Sequence, residues 1–157
     1  MTKVLALSST GGHWVQLLRL APAWDGCEVH YATTTADHRA EVERLTQARG
    51  QVLGGYHIFA DANRWQKLRL LRQLFGILRI LLKVRPDVIV STGASAGYFA
   101  LRAGRWLGAR NCWVDSIANA ETLSMSGHLA GPYADLWLTQ WPDLARPDGP
   151  QYRGAVL

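Results

Sequence analysis

The sequence has 157 residues, of which 48% are hydrophobic and 18% charged, and its formal net charge is +5. This length and apolar content suffice for one domain with a buried core and exclude a disordered chain. Two cysteines without metal-ligand spacing exclude a disulfide scaffold and argue against a zinc site. No signal peptide is recognisable, and no uncharged run approaches the ~18 residues of a spanning helix. We therefore expect a cytoplasmic protein that is not integral to a membrane.

Strands and helices alternate in the hydrophobic pattern. Strands are predicted at 4–8, 28–33, 51–58, 87–91, 111–115 and 135–140, and helices at 14–20, 38–49, 65–84, 98–107 and 123–131. This alternation is typical of an α/β fold, Rossmann-like, with a mostly parallel sheet and helices on both faces. Residues 142–157 hold three of the six prolines. We expect a single domain over 1–157 whose last segment, 142–157, is an irregular tail.

Two glycine-bearing loops follow the first and fourth predicted strands. Their candidate ligand residues are Thr10, Gly11 and Gly12 in the first loop, and Thr92, Gly93, Ser95 and Gly97 in the second. In parallel sheets a ligand binds where a strand end passes into a helix N-terminus, and glycines let backbone N–H groups approach a phosphate. Either loop alone could be a tight turn, but the pair predicts a diphosphate site. Neither loop matches the dinucleotide or P-loop motif.

Two titratable side chains are predicted at the same edge. His13 could accept a hydroxyl proton or donate to a phosphate, unless it only caps a helix or faces solvent. Asp115 follows an apolar strand and could be a general base or bind sugar hydroxyls. With Ser116, itself a candidate acceptor-binding residue, it could equally cap the next turn. No Asp-x-Asp motif is present, so no metal or other cofactor is predicted.

The basic character is concentrated in one predicted helix. Residues 64–85 carry seven basic residues and no acid, whereas the rest of the chain carries ten basic and twelve acidic residues. Four cations fall on one narrow stripe of this helix beside an otherwise largely apolar surface, namely Arg69, Arg72, Arg79 and Lys83. Apolar surface rimmed by cations is typical of an interfacial helix on anionic lipid. The alternative is a core helix with a solvated basic edge. A nucleic-acid surface would spread its cations and interleave exposed aromatics, so no nucleic acid is predicted.

Several motifs follow one another in the order of a known family. They lie at 9–13, 86–93, 115–116 with 123–127, 134–141 and 152–157. Over nearly its full length the chain resembles the membrane-associated subunit of two-component glycosyltransferases. These comprise the PssD-type exopolysaccharide proteins of bacteria and the anchor subunit of the split eukaryotic N-acetylglucosamine transferase. The whole is similar to the N-terminal half of MurG.

The resemblance implies the acceptor-binding half of a GT-B glycosyltransferase cut in two, and a chain that ends after one such domain agrees with this. This half would bind a polyprenyl-diphosphate-linked acceptor as a peripheral protein at the cytoplasmic face of the inner (plasma) membrane. A separate donor-binding subunit would hold the UDP-sugar in a heterodimer. Two departures from the family follow from the sequence: we expect no N-terminal anchor like that of the eukaryotic subunit, and Asn119 stands where an arginine is often found.

We therefore predict inverting, metal-independent transfer of N-acetylglucosamine or glucuronic acid in polysaccharide or lipid-linked oligosaccharide biosynthesis. His13 or Asp115 would take the proton of the acceptor hydroxyl. Two other functions stay open. The chain could be a non-catalytic membrane scaffold that recruits the catalytic partner, with structural glycine turns. It could also be a free-standing nucleotide-binding α/β protein that binds a UDP-sugar by itself.

Overall fold

A seven-stranded parallel sheet with helices on both faces forms the frame of the protein in a computed structural model that describes residues 1–156. The strands are β1 (Lys3–Leu7), β2 (Glu28–Thr33), β3 (Val52–Ile58), β4 (Val88–Ser91), β5 (Arg110–Val114), β6 (Leu136–Thr139) and β7 (Gln151–Tyr152). The helices are α1 (Gly12–Arg19), α2 (Arg39–Arg49), α3 (Lys67–Val84), α4 (Ala94–Trp106) and α5 (Met125–Ala130). Short 3₁₀ turns lie at Ala21–Trp24, Gly131–Tyr133 and Pro142–Leu144. Leu157, the end of the last predicted motif, lies outside the described residues.

The strand order is β3-β2-β1-β4-β5-β6-β7, with every neighbouring pair parallel. The order reverses between β1 and β4, which pair directly with Leu7 opposite Ser91. The loops that leave these two strands therefore start side by side at the switch point of the sheet, where open α/β folds bind ligands. The predicted Rossmann-like fold class is confirmed.

Alternating side chains of the central strands build two hydrophobic cores. Leu5 and Leu7 of β1 face one core, which α3, α4 and α5 cover. Val4 and Ala6 face the other core, which α1, α2 and the 3₁₀ turn at Ala21–Trp24 cover. Because both faces are covered, the strands are apolar in consecutive positions, as buried parallel strands are.

Two predicted segments differ from the structure. Helix α4 begins at Ala94 and not at Tyr98, so the second half of the predicted 91–97 loop is the first turn of a helix. Small side chains in that turn let α4 lie directly on the sheet, a packing effect that local pattern does not show. The tail, expected to be irregular, contributes the short strand β7, which pairs with β6 at Leu138 and Thr139. Among the helices of residues 1–156, none is both long and apolar enough to cross a bilayer.

Candidate functional site

The two glycine loops are tied to each other at the switch point. The hydroxyl of Thr92 donates to the backbone carbonyl of His13 over 2.6 Å. The ring Nδ1 of His13 lies 2.9 Å from the backbone carbonyl of Thr92. These reciprocal contacts join residues 79 positions apart in the chain. They hold the start of α1 against the start of α4.

The contact with Thr92 determines which nitrogen of His13 is free. A carbonyl oxygen only accepts hydrogen bonds, so Nδ1 carries the proton and donates it to Thr92. In the neutral ring, Nε2 then has a free lone pair, and no hydrogen bond from residues 1–156 reaches it. The ring is half-buried at the edge of the sheet. This side chain can therefore accept a proton from a hydroxyl that approaches from solvent.

Gly93 makes room for the His13 ring. A Cβ atom at this position would overlap the Cε1 and Nδ1 atoms of the imidazole. Its φ of +147° and the φ of +66° at Ala94 turn the chain sharply from β4 into α4. A non-glycine residue with positive φ is uncommon and is found mainly where surrounding contacts hold it. The glycine that sequence reasoning assigned to phosphate approach is thus required by His13.

Helices α1 and α4 begin at this edge. Gly11 and Gly93 occupy their N-cap positions, and neither helix has a side-chain cap. The backbone N–H groups of the first turn have no partner within a helix and carry its partial positive charge. Thr10, Gly11 and Gly12 are exposed beside them. This edge is therefore compatible with an anionic group, and the diphosphate site stays a prediction.

Four predicted ligand residues instead hold the protein together. Thr92 is fully buried with its hydroxyl committed to His13. The Ser95 hydroxyl donates to Gln73 of α3. Gly97 lies inside α4, where a Cβ would overlap the Ser91 hydroxyl and lie 2.8 Å from Trp113. Ser116 is buried, and its oxygen accepts hydrogen bonds from Gln16 and from the backbone of Ala118. The hydroxyl groups of Thr92, Ser95 and Ser116 are thus bound within the protein, and Gly97 serves the packing of α4.

Asp115 is also part of the framework. It is 1% exposed, and its two carboxylate oxygens accept four hydrogen bonds. The donors are the Trp113 indole, the Asn119 amide, and the backbone and hydroxyl of Ser124. A base needs an accessible lone pair within reach of the proton that it removes. The Asp115 carboxylate therefore holds the 115–124 loop in place through these hydrogen bonds. Of the two candidate bases, His13 has the more accessible lone pair.

A buried pair of amides below His13 was missed by sequence reasoning. Gln16 donates to Ser116 and accepts from the backbone N–H of Ile117. Gln140 donates to the side-chain oxygen of Gln16 and to the backbone oxygen of Asp115, and accepts from the N–H of Val156. The pair joins α1, the loop after β5 and the segment after β7. The sequence signal for this pair was Gln16, a polar residue among the apolar positions of α1.

The outer face of α3 is exposed along its length. Leu68, Leu71, Phe75 and Leu82 form an apolar stripe, in which Leu68 is 79% and Phe75 68% exposed. The four predicted lipid-binding cations, Arg69, Arg72, Arg79 and Lys83, are exposed on the adjacent stripe. Ile77, Leu81 and Val84 point the opposite way, into the core. The exposed half of the helix is therefore both apolar and basic.

Within residues 1–156, no three His, Cys, Asp or Glu side chains are grouped to hold a metal ion.

No protein-family model matches the chain.

Comparisons with known proteins identify relatives and the fold of the chain. The chain is 32% identical over 166 residues to the UDP-N-acetylglucosamine transferase subunit ALG14 of Eremothecium gossypii, covering 91% of this chain and 74% of that protein. It is 23% identical to the mouse protein of the same name, covering 90% of this chain and 76% of the relative. Among solved structures, MurG of Acinetobacter baumannii matches with a TM-score of 0.70 at 15% identity.

That match covers all of this chain but only 46% of the MurG chain, so this protein spans less than half of that structure. At such low identity it shows the fold alone, which is that of the N-terminal domain of GT-B glycosyltransferases. The similarity to the fungal protein extends over most of both sequences. The chain belongs to the family of the UDP-N-acetylglucosamine transferase subunit ALG14.

Proposed function

We propose that this chain is the acceptor-binding subunit of a two-component glycosyltransferase. A partner subunit holds UDP-N-acetylglucosamine, and this chain holds a polyprenyl-diphosphate-linked acceptor. Support comes from the family, whose members are named as subunits of a UDP-N-acetylglucosamine transferase. The PssD-type resemblance extends the proposal to bacterial exopolysaccharide assembly and keeps glucuronic acid as a second candidate sugar.

The acceptor diphosphate binds at the N-termini of α1 and α4. Two uncapped helix starts at neighbouring strand ends provide N–H donors and two aligned dipoles, an arrangement that favours an anion. Gly11 and Gly12 leave the first of these starts open to solvent. The start of α4 has less free space for a ligand, because the Thr92 hydroxyl is bonded to His13 and the His13 ring lies against Gly93.

His13 acts as the general base, and its orientation by Thr92 is the observation that carries this proposal. Nε2 takes the proton from the acceptor hydroxyl as its oxygen attacks the anomeric carbon of the donor sugar. A new C–O bond forms on the face opposite the leaving group, and the bond to the diphosphate of UDP breaks with its electron pair. The configuration inverts, no metal takes part, and groups of the partner subunit stabilise the departing UDP.

Asp115 and Ser116 act as positioning residues. They hold the 115–124 loop and the base of α1, on which His13 lies, in a single arrangement. A displacement of about 1 Å in a reacting group can cost orders of magnitude in rate. This role explains why a fully hydrogen-bonded carboxylate lies beside the site.

Helix α3 docks the subunit to the cytoplasmic face of the membrane as a peripheral contact. Its apolar stripe would enter the headgroup boundary while the adjacent cations meet anionic lipid. In liposome flotation, replacing Arg69, Arg72, Arg79 and Lys83 together by Gln should release the protein from anionic vesicles. Unchanged flotation would disprove the docking.

The catalytic proposal is tested with the chain co-expressed beside a donor-binding subunit from the same organism. Transfer from labelled UDP-N-acetylglucosamine to a polyprenyl-diphosphate acceptor should fall by about 10²–10⁴-fold in His13→Ala. The variant His38→Ala is the control: His38 precedes α2, its ring stacks on Trp14 and contacts Glu41, and no hydrogen bond joins it to either glycine loop. Near-normal transfer by His13→Ala would exclude the base role. Near-normal transfer by variants of both loops would favour the membrane-scaffold function.

Calorimetry separates the remaining alternative. We expect UDP-N-acetylglucosamine to bind the pair of subunits and not this chain alone. Tight binding to the isolated chain would instead make it a free-standing nucleotide-binding protein.

A further inference from the structure

A basic groove wraps around the free edge of the sheet, beside the C-terminal half of α3. It consists of two adjoining cavities of about 330 and 380 Å³. Tyr56, His57 and Lys83 line both cavities, which are therefore one continuous surface. Strand β3 forms its floor and is the edge strand of the sheet. The groove is separate from the His13 loops, which line neither cavity.

The groove has an excess of positive charge. Lys3, Arg39 and Lys83 line the first cavity, and Arg79 joins Lys83 in the second. None of these four cations forms an ion pair with another residue of the described 1–156 segment. The single acid in the lining, Glu28, lies 2.9 Å from the ring Nε2 of His30. These cations thus line one groove without an ion-pair partner among residues 1–156.

Two glycines keep the groove open. Gly54 and Gly55 of β3 line the first cavity and present no side chain to it. A Cβ at Gly54 would overlap the imidazole of His30 and approach Glu28 within 2.7 Å. The guanidinium of Arg39 lies 5.0 Å from the centre of the Tyr56 ring, a cation–π distance that holds it at the rim. The opening is therefore preformed, with a cation at a defined place.

One histidine of the groove, His57, has a lowered pKa. His57 lies with Nε2 at 3.1 Å from Nδ1 of His30. Burial lowers the pKa of His57 to about 4, and the neighbouring His30 and then the positive charges of Lys83 and Arg39 contribute to this shift. An anion in the groove would offset these charges and move the His57 pKa upward again. The side chain therefore serves as a reporter of occupancy.

We propose that this groove binds the phosphate monoester of an anionic lipid headgroup. A monoester dianion matches several uncompensated cations around one opening better than a singly charged diester, and charge-assisted hydrogen bonds to phosphate are strong. Arg79 and Lys83 belong to the exposed basic stripe of α3, so a headgroup reaches the groove when that helix lies on lipid. The lipid source of the phosphate rests on the proposed docking of α3. The groove adds a discrete headgroup site to that diffuse attraction.

Vesicle flotation tests the preference. Phosphatidylcholine vesicles containing either phosphatidate or phosphatidylserine are compared at equal surface potential, and the wild-type chain should bind the phosphatidate vesicles about tenfold more tightly. Arg39→Gln should abolish this preference while retaining binding to both vesicles. Arg69→Gln, on the same basic stripe but outside the groove, should weaken both equally. Arg44→Gln, an exposed cation of α2 outside the lining, is the matched control and should behave as wild type.

NMR titration of His57 tests the groove without a membrane. Soluble dihexanoyl phosphatidate should raise the His57 pKa in the wild type and not in Arg39→Gln. A rise of the His57 pKa without binding to any vesicle would support the phosphate site in the groove and overturn the docking of α3 to lipid. An equal rise with inorganic phosphate and no preference between vesicles would overturn the lipid assignment. No rise with either compound, together with equal vesicle binding, would overturn the site itself.

Discussion

The imidazole of His13 occupies the space that a side chain at position 93 would fill, and Gly93 is therefore part of the arrangement that holds the candidate base. The two residues come from different loops, each following one of the two strands that flank the switch point. Their contact holds the candidate base against the start of α4. Activity should consequently depend on Gly93 through its contact with His13.

Replacing Gly93 by alanine should displace the His13 ring. The new methyl group overlaps the imidazole, and the positive φ adds strain of about 1–3 kcal/mol. We expect transfer by the reconstituted enzyme to fall nearly as far as in His13→Ala. Single-turnover rates and urea unfolding of the same preparation measure the two effects.

Gly108→Ala is the matched control for that variant. Gly108 also has a positive φ, of +82°, but its Cβ would meet nothing within 4 Å. The free energy of unfolding should decrease by an amount similar to the strain in Gly93→Ala, with transfer per folded molecule retained. Equal activity losses in both variants would show that strain alone, and not the His13 contact, causes the effect.

Asp115→Asn should destabilise the protein without removing a base. The amide nitrogen of asparagine would face donors where the carboxylate accepts four hydrogen bonds, and leaving a buried donor unsatisfied costs about 1–3 kcal/mol. The rising limb of the pH–rate profile should stay where it is in the wild type, since His13 is unchanged. Loss of that limb in the variant would return the base role to Asp115.

Gln16 and Gln140 should be energetically coupled. Methionine replaces either amide with a similar volume, and each single variant leaves backbone N–H groups of Ile117 or Val156 unsatisfied. We expect each to lose about 1–3 kcal/mol of stability and the double variant to lose less than the sum, with coupling of about 0.5–3 kcal/mol. Denaturant unfolding of the four proteins measures this cycle. Strict additivity would contradict a shared network.

Gly97→Ala should destabilise the fold and Gly12→Ala should not. At position 97 a Cβ overlaps the Ser91 hydroxyl and crowds Trp113, an overpacking that costs about 1–3 kcal/mol. At position 12 the nearest atom to such a Cβ is 4.0 Å away, on Gln16. Thermal unfolding distinguishes the two variants. An unchanged unfolding temperature of Gly97→Ala would contradict the close packing of α4 on the sheet at this position.

Stability should decrease as the pH falls from about 6.5 toward 4, in part because of His57. Burial holds the pKa of this ring at about 4 in the folded protein, below its ordinary value of 6.5. In this range the unfolded chain binds a proton that the folded chain does not, so acid favours unfolding. His57→Gln should flatten the pH dependence of the unfolding free energy over the same interval. An unchanged slope would mean that other groups account for it.

The order of strands and helices was readable from local pattern, because buried parallel strands and amphipathic helices have different hydrophobic periods. The helix predicted at 38–49 is followed by Gly50, which ends α2 in the left-handed conformation that glycine adopts readily. The predicted start of the fourth helix at Tyr98 and the predicted irregular tail were wrong. Both depend on contacts with the sheet, which leave little trace in the local sequence.

The candidate site was predicted only in outline. Chain position alone placed both glycine loops and His13 at the strand ends, since the ends of neighbouring parallel strands meet at one edge. The roles of Thr92, Gly97 and Asp115 could not be read in this way. Whether a hydroxyl or a carboxylate faces a ligand depends on which donors and acceptors surround it after folding.

Hydrophobic periodicity, motif order and the distribution of charge were thus enough to predict an α/β domain, its switch-point loops and its basic helix. The roles of individual polar residues were decided by contacts between residues far apart in the chain. These contacts join His13 to Thr92, bury Asp115 and pair Gln16 with Gln140, and they leave a groove beside β3. The physical reason is that hydrophobic periodicity is a local property, whereas the hydrogen bonding and burial that give a polar side chain its role are formed only between distant segments.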